Sequence, residues 1–147
     1  MKVRVKKLNE LATLPTKGSE FAAGSDLYAC LNQEVVITSG ETVLIPTGIA
    51  MELPVGTVGL VYARSGLATK RNLAPANKVG VIDCDYRGEI MVALHNHGSE
   101  PQTIAKNERI AQIVITPYYE VEFEENGELE PSKRGSGGFG STDKGLV

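Results

Sequence analysis

The sequence predicts an all-β protein, a sandwich, jelly roll or barrel, with one short helix and a flexible glycine-rich C-terminal arm. Three observations carry this expectation. Short runs rich in Val, Ile and Thr recur along most of the chain, separated by clusters of Gly, Pro, Asn and Ser. No stretch sustains the 3.6-residue apolar period of an amphipathic helix. Residues 125–147 lose every strand or helix pattern, and four of the six residues 135–140 are glycine. A length of 147 residues suits one domain, and 41% hydrophobic content is too apolar for a disordered chain. The organisation read from this is a core domain over 1–124 followed by an arm over 125–147.

Each element has its own local reason. Val3 and Val5 alternate with basic residues, the two-residue period of a half-buried strand. The runs DLYACL (26–31), EVVIT (34–38), TVLIP (42–46), GIAMEL (48–53) and TVGLVYA (57–63) follow. After them SGLATKRN (65–72) is predicted as the single helix, with Ser65 as its cap. VGVID (79–83) is expected to run through Asp-Cys-Asp-Tyr-Arg-Gly into GEIMVALHNH (88–97) as a hairpin. RIAQIVIT (109–116) and YEVEF (119–123) complete the strands.

Composition excludes several function classes. No apolar run approaches the roughly 18 residues of a membrane span, and MKVRVKKLNE has no apolar signal region, so a cytoplasmic protein is expected. The net charge of -3 and 5% aromatic content leave neither a basic face nor a stacking platform for nucleic acid. Cys30 and Cys84 form no CxxC pair, which argues against a disulfide scaffold or a structural zinc site. GSGGFG (135–140) spells G-x-G-x-x-G but follows no strand and opens no helix, so it is not a dinucleotide fingerprint. Its glycines would still let backbone N–H groups approach phosphate. Cys84, flanked by two Asp carboxylates, is poorly placed as a nucleophile. His95 and His97 would share one strand face, where a metal pair is conceivable but a polar surface pair is the plainer reading.

Five segments concentrate residues suited to a phosphorylated ligand: AAGSDLYA (22–29), ARSGLA (63–68), NKVGVIDCDYRGE (77–89), ERIAQIVI (108–115) and RGSGGFGST (134–142). A strand ending in Arg-Ser-Gly at a helix start can hold an anion. Two carboxylates in one tight Asp-Cys-Asp loop repel each other and need a function to keep them there. A lone Phe139 among glycines, with Arg134 before it, is out of place in a solvated linker.

In this order and spacing the five segments resemble the five motifs of the trimeric dUTP pyrophosphatases (deoxyuridine triphosphate nucleotidohydrolases), over roughly residues 20–143. GVIDCDYRGE and RGSGGFGST are the most specific parts. The resemblance implies a β jelly roll, a homotrimer whose three active sites draw on all three subunits, and hydrolysis of dUTP to dUMP and pyrophosphate. It implies Asp83 as the general base that activates water for attack on the α-phosphorus. Arg64, Ser65, Gly66 and Gln112 would hold phosphates, with Ser65 near the leaving oxygen. Asn77, Val81, Ile82 and Asp83 would read uracil, Tyr86 would exclude a 2′-hydroxyl, and Met91 would wall the base pocket. Asp26 would position Mg2+ through water, since that ion keeps several waters and prefers substrate phosphates to a protein cage. Arg134, Ser141 and Thr142 would meet the terminal phosphate, with Phe139 stacked on the base and Gly140 among the glycines that wrap the triphosphate. The family pattern commonly continues G-S-T-G, whereas this chain has Asp143, which is expected to face solvent. A dCTP deaminase-like or bifunctional enzyme of the same fold is the alternative, and a binding module without turnover is the non-enzymatic one.

Overall fold

Strand β12 (Arg109–Pro117) is the spine of the computed structural model, which describes residues 1–138. It lies between β3 (Ser25–Tyr28) and β7 (Thr57–Tyr62), and β2 (Thr16–Lys17) and β9 (Gly80–Ile82) complete a five-stranded sheet in the order β2-β3-β12-β7-β9. Against it stand β5 (Thr42–Pro46), β10 (Met91–Asn96) and β8 (Leu73–Pro75), in the order β5-β10-β8. Two smaller ladders pair β1 (Arg4–Lys7) with β6 (Ile49–Glu52) and β4 (Val35–Ile37) with β11 (Gln102–Ile104). All these pairings are antiparallel, and the architecture is the β jelly roll.

The strands form because their apolar residues alternate toward one core. In β10, Val92, Leu94 and Asn96 point inward while Met91, Ala93 and His95 point out. Leu27, Ile37, Ile45, Ile49, Leu73, Ile90, Leu94 and Ile104 are fully buried. Each such side chain contributes roughly 1.5–3 kcal/mol relative to exposure. Asn96, also fully buried, satisfies its amide on the carbonyls of Ile37 (3.0 Å) and Glu100 (2.8 Å), and so ties β10 to β4.

Three expectations need correction. Ser65 is not the helix cap: Arg64 holds the N-cap position in extended conformation with no side-chain capping bond, and α1 runs Ser65–Arg71. The helix ends at Asn72, whose φ of 53° is the left-handed conformation asparagine tolerates. VGVID and GEIMVALHNH do not form a hairpin, because β9 pairs with β7 and β10 with β5 and β8. Residues 83–90 instead cross from one sheet to the other. YEVEF (119–123) pairs with no described strand and leaves Tyr119, Val121 and Phe123 exposed. The short strands β2, β8 and β11 carry too few residues for a legible period and were not expected. No described helix is long and apolar enough to cross a membrane.

Candidate active site

A cavity of about 380 Å3 opens between the loop before β3 and the start of α1. Gly24, Asp26, Arg64, Ser65, Gly66, Arg109 and Gln112 are among its lining residues. Asp26 is buried, and a buried carboxylate must be paired. Arg64 Nε donates to its Oδ1 at 2.8 Å and Arg109 Nη1 to its Oδ2 at 3.2 Å. One carboxylate and two guanidinium groups leave the trio net positive, which favours an anion. Arg64 therefore spends its side chain on Asp26 rather than on capping α1.

The local shape of β12 places two of these groups. Its register shifts between Arg109 and Ala111, a β-bulge, so Ile110 and Ala111 are both buried. Beyond the bulge, Gln112 faces the same cavity as Arg109. Gln112 Nε2 donates to the Ala63 carbonyl at 2.9 Å, so its amide joins β12 to the end of the β7 segment. A Cβ on Gly24 would lie 2.4 Å from Gln112 Oε1, which makes the absence of a side chain at 24 a condition for that amide's position.

A second cavity, of about 290 Å3, is lined by Leu44, Val81, Ile82, Asp83, Tyr86, Glu89 and Met91. The crossing segment 83–90 builds it. Tyr86 N–H donates to the Asp83 carbonyl at 3.2 Å and its phenol donates to the Glu89 carbonyl at 3.0 Å. Arg87 Nη1 donates to the carbonyls of Cys84 (2.7 Å) and Tyr86 (3.0 Å), which closes the turn. Glu89 Oε1 accepts from Gly48 N–H at 2.7 Å, which anchors the segment to the chain before β6. Asp83 differs from Asp26 in every respect that matters to its chemistry. It is exposed, and among the described residues its carboxylate takes part in no hydrogen bond or ion pair. Asp26 is thus held by two guanidinium groups, whereas Asp83 stands open to solvent.

The two cavities have no lining residue in common, so one chain brings together Asp26, Arg64, Ser65, Gly66 and Gln112 in one place and Val81, Ile82, Asp83, Tyr86 and Met91 in another. Asn77 lines neither; its carbonyl accepts from Val79 N–H at 2.6 Å in the turn before β9. Arg134 is exposed and donates through Nε to the Gly137 carbonyl at 2.8 Å, a local turn of the arm. Phe139, Gly140, Ser141, Thr142 and Asp143 lie outside the described residues. Sequence reasoning gave no role to Glu89 or Tyr118, and it named Gly24 and Arg109 only as companions of Asp26 and Gln112 in their segments. Arg109 had a signal, a charge opening a buried strand. Tyr118 had none; its phenol is pushed above the usual range by Cys84 first, then by burial, Glu120 and Asp83, which places it beside the crossing segment.

The dUTPase family model matches residues 10–143. The chain belongs to the dUTPase family. It is 50% identical over 143 residues to the deoxyuridine 5'-triphosphate nucleotidohydrolase of Desulfitobacterium hafniense (strain DSM 10664 / DCB-2), covering 97% of this chain and 95% of that one. It is 47% identical over 140 residues to the enzyme of the same name from Clostridioides difficile, covering 95% and 96%. Among solved structures, a mutant dUTPase of Staphylococcus bacteriophage 80alpha bound to dUpNHpp superposes with a TM-score of 0.86 at 30% identity, over 96% of this chain and 98% of that one. A mutant dUTPase from phage phi11 of S. aureus, described with a structural Mg(II) ion, gives a TM-score of 0.78 at 25% identity, over 87% and 98%. A dUTPase jelly roll is thus the frame in which both cavities sit, and the deaminase alternative is not favoured.

Proposed function

We infer that this chain hydrolyses dUTP to dUMP and pyrophosphate, limiting dUTP and supplying dUMP for thymidylate synthesis. One arrangement carries the assignment of roles within the family: an exposed Asp83, without a hydrogen-bond partner for its carboxylate among the described residues, lines one cavity, and a separate net-positive cavity surrounds Asp26, Arg64 and Arg109. Asp83 is the general base. It removes a proton from the attacking water while the α-phosphorus accepts the oxygen and pyrophosphate departs. Arg64, Ser65, Gly66 and Gln112 bind phosphate oxygens and oppose the charge that builds on the leaving group. The backbone near Asn77 and from Val81 to Asp83 presents donors and acceptors that match uracil; cytosine leaves them unpaired, a strong discriminator. Tyr86 packs on the sugar, and Met91 closes the wall of the base pocket.

The site assembles between copies. The absence of a shared lining residue between the two cavities supports a homotrimer in which each site takes its phosphate half and its base half from different subunits. The exposed Tyr119, Val121 and Phe123 support an arm that leaves its own subunit. Residues 125–147 then close a neighbouring site, with Arg134, Ser141 and Thr142 on the terminal phosphate, Phe139 on the base and Gly140 in the wrapping loop. Mg2+ is the cofactor. Asp26 is the single carboxylate of the phosphate cavity, both its oxygens accept from arginines, and no group of three or more His, Cys, Asp or Glu among the described residues could cage an ion. That donor set fits an ion carried by phosphate oxygens and held to Asp26 through water. When bound, Mg2+ supplies neutralisation of the phosphate charge. The protein acts in the cytoplasm without a nucleic-acid or membrane partner.

The test is turnover of dUTP, dTTP, dCTP and UTP with and without magnesium, together with Asp83→Asn. dUTP alone should be cleaved efficiently, and the variant should bind nucleotide while kcat falls by about 10²-fold or more. Near-normal turnover by the variant removes Asp83 from the role of base. Ammonia release from dCTP would favour the deaminase alternative. Light scattering that reports a monomer at working concentration refutes the shared site.

A further inference from the structure

The outward face of β10 continues past its end, so His95 and His97 project on the same side of the sheet. Their ring centres lie 4.3 Å apart with planes inclined by 62°. These are the only two histidines of the chain, and neither lines the two cavities described above. His95 is half-buried and fixed by a 2.8 Å contact between its Nδ1 and Thr42 Oγ1 on the neighbouring strand β5. In the tautomer that carries its proton on Nδ1, the Thr42 hydroxyl accepts that proton's hydrogen bond and Nε2 keeps the lone pair a metal ligand requires. His97 is exposed, and its backbone N–H donates to the Asn72 carbonyl at 2.8 Å, so one histidine is held through its ring and the other through its backbone.

The spacing carries chemical information. Two imidazoles bound cis on one ion, with metal–nitrogen distances near 2.0–2.1 Å, hold their ring centres roughly 4.4 Å apart at a right angle and roughly 5 Å apart at the tetrahedral angle. The observed separation matches the right angle. We propose that His95 and His97 form a bidentate surface site for a transition-metal ion of tetragonal geometry, Ni2+ or Cu2+, with water in the remaining positions. No described carboxylate or thiol joins them as a third ligand, so the site stays open and exchangeable.

Ni2+ is the probe, because it leaves Cys30 and Cys84 unoxidised. Calorimetric titration of the full-length protein should show one Ni2+ per chain, and proton NMR should show both imidazole Cε1–H signals broadening together at the same added Ni2+. His97→Asn and His95→Asn should each weaken the affinity at least about tenfold, and Thr42→Val by less, with melting curves unchanged for the exposed His97 variant. Ni2+ should bind more tightly than Zn2+. Unchanged Ni2+ affinity in His97→Asn, or two signals that broaden at different Ni2+ concentrations, overturns the shared site. Zn2+ binding as tight as Ni2+ overturns its tetragonal geometry.

Discussion

Gly88→Ala tests how the base pocket is shaped, because the substitution acts on one side chain through one contact. Gly88 is not among the glycines with positive φ, so alanine meets no backbone strain there. Its Cβ would, however, lie 2.4 Å from the Tyr86 hydroxyl, 2.5 Å from Cζ and 2.9 Å from Cε2. Relief to ordinary contact requires the ring to withdraw by about 1 Å, and it has open solvent to withdraw into. The phenol then loses its 3.0 Å bond to the Glu89 carbonyl. One exposed hydrogen bond is worth at most about 1 kcal/mol, so the thermal midpoint should fall by no more than about 4 °C. Selectivity should suffer far more. A wall displaced from the sugar forfeits roughly 1–3 kcal/mol of discrimination, or about 10- to 200-fold. The assay is the ratio of kcat/KM for dUTP over UTP, measured in parallel for Tyr86→Ala and Tyr86→Phe. Gly88→Ala should approach the Tyr86→Ala ratio, whereas Tyr86→Phe should keep most of the wild-type value, because the ring is the barrier. A wild-type ratio in Gly88→Ala would refute the claim that Tyr86, held where Gly88 makes room for it, excludes the 2′-hydroxyl.

Other expectations follow from the same contacts. In Gly24→Ala the new Cβ displaces Gln112 Oε1 and breaks its tie to Ala63, so KM for dUTP should rise several-fold as in Gln112→Ala; an unchanged KM would take Gln112 out of phosphate binding. Gly48→Ala combines a φ of 68° with a Cβ 2.6 Å from Cys30 Sγ and 2.8 Å from Ala12 Cβ. Left-handed strain and overpacking together cost about 2–5 kcal/mol, and calorimetry should show a midpoint lowered on the order of 10 °C. Removal of residues 134–147 should leave a folded protein, by circular dichroism, whose turnover drops on the order of 10²-fold as the site loses its closing groups; full activity would refute the lid.

Much of the site was legible because its chemistry is carried by side chains in short runs. Asp26 with Gly24 before it, Arg64-Ser65-Gly66, Asp83 with Tyr86, and Gln112 all stood out by residue type and spacing, and each now lines one of the two cavities. Arg109 was harder to read. A charged residue at the mouth of a strand has many uses, and only the approach of β3 to β12 gives it Asp26 as a partner. The expected hairpin failed for a related reason. Two β-branched runs joined by a tight acidic turn satisfy every local rule for pairing, yet β9 finds β7 and β10 finds β5 and β8.

Period-two alternation and the turn residues between runs follow from backbone sterics and burial over a few residues, so the all-β class, the single helix and the catalytic vocabulary were present in the sequence alone. Register, contact volume and strand neighbourhood depend on residues tens of positions apart, and these the folded chain decided. It chose the partner strands, set the bulge that turns Arg109 and Gln112 to one cavity, and left room at Gly24 and Gly88 for a neighbouring side chain. It also set His95 against Thr42. Spacing along a chain says which groups are available, while only close packing, in which every atom excludes every other, says which of them meet.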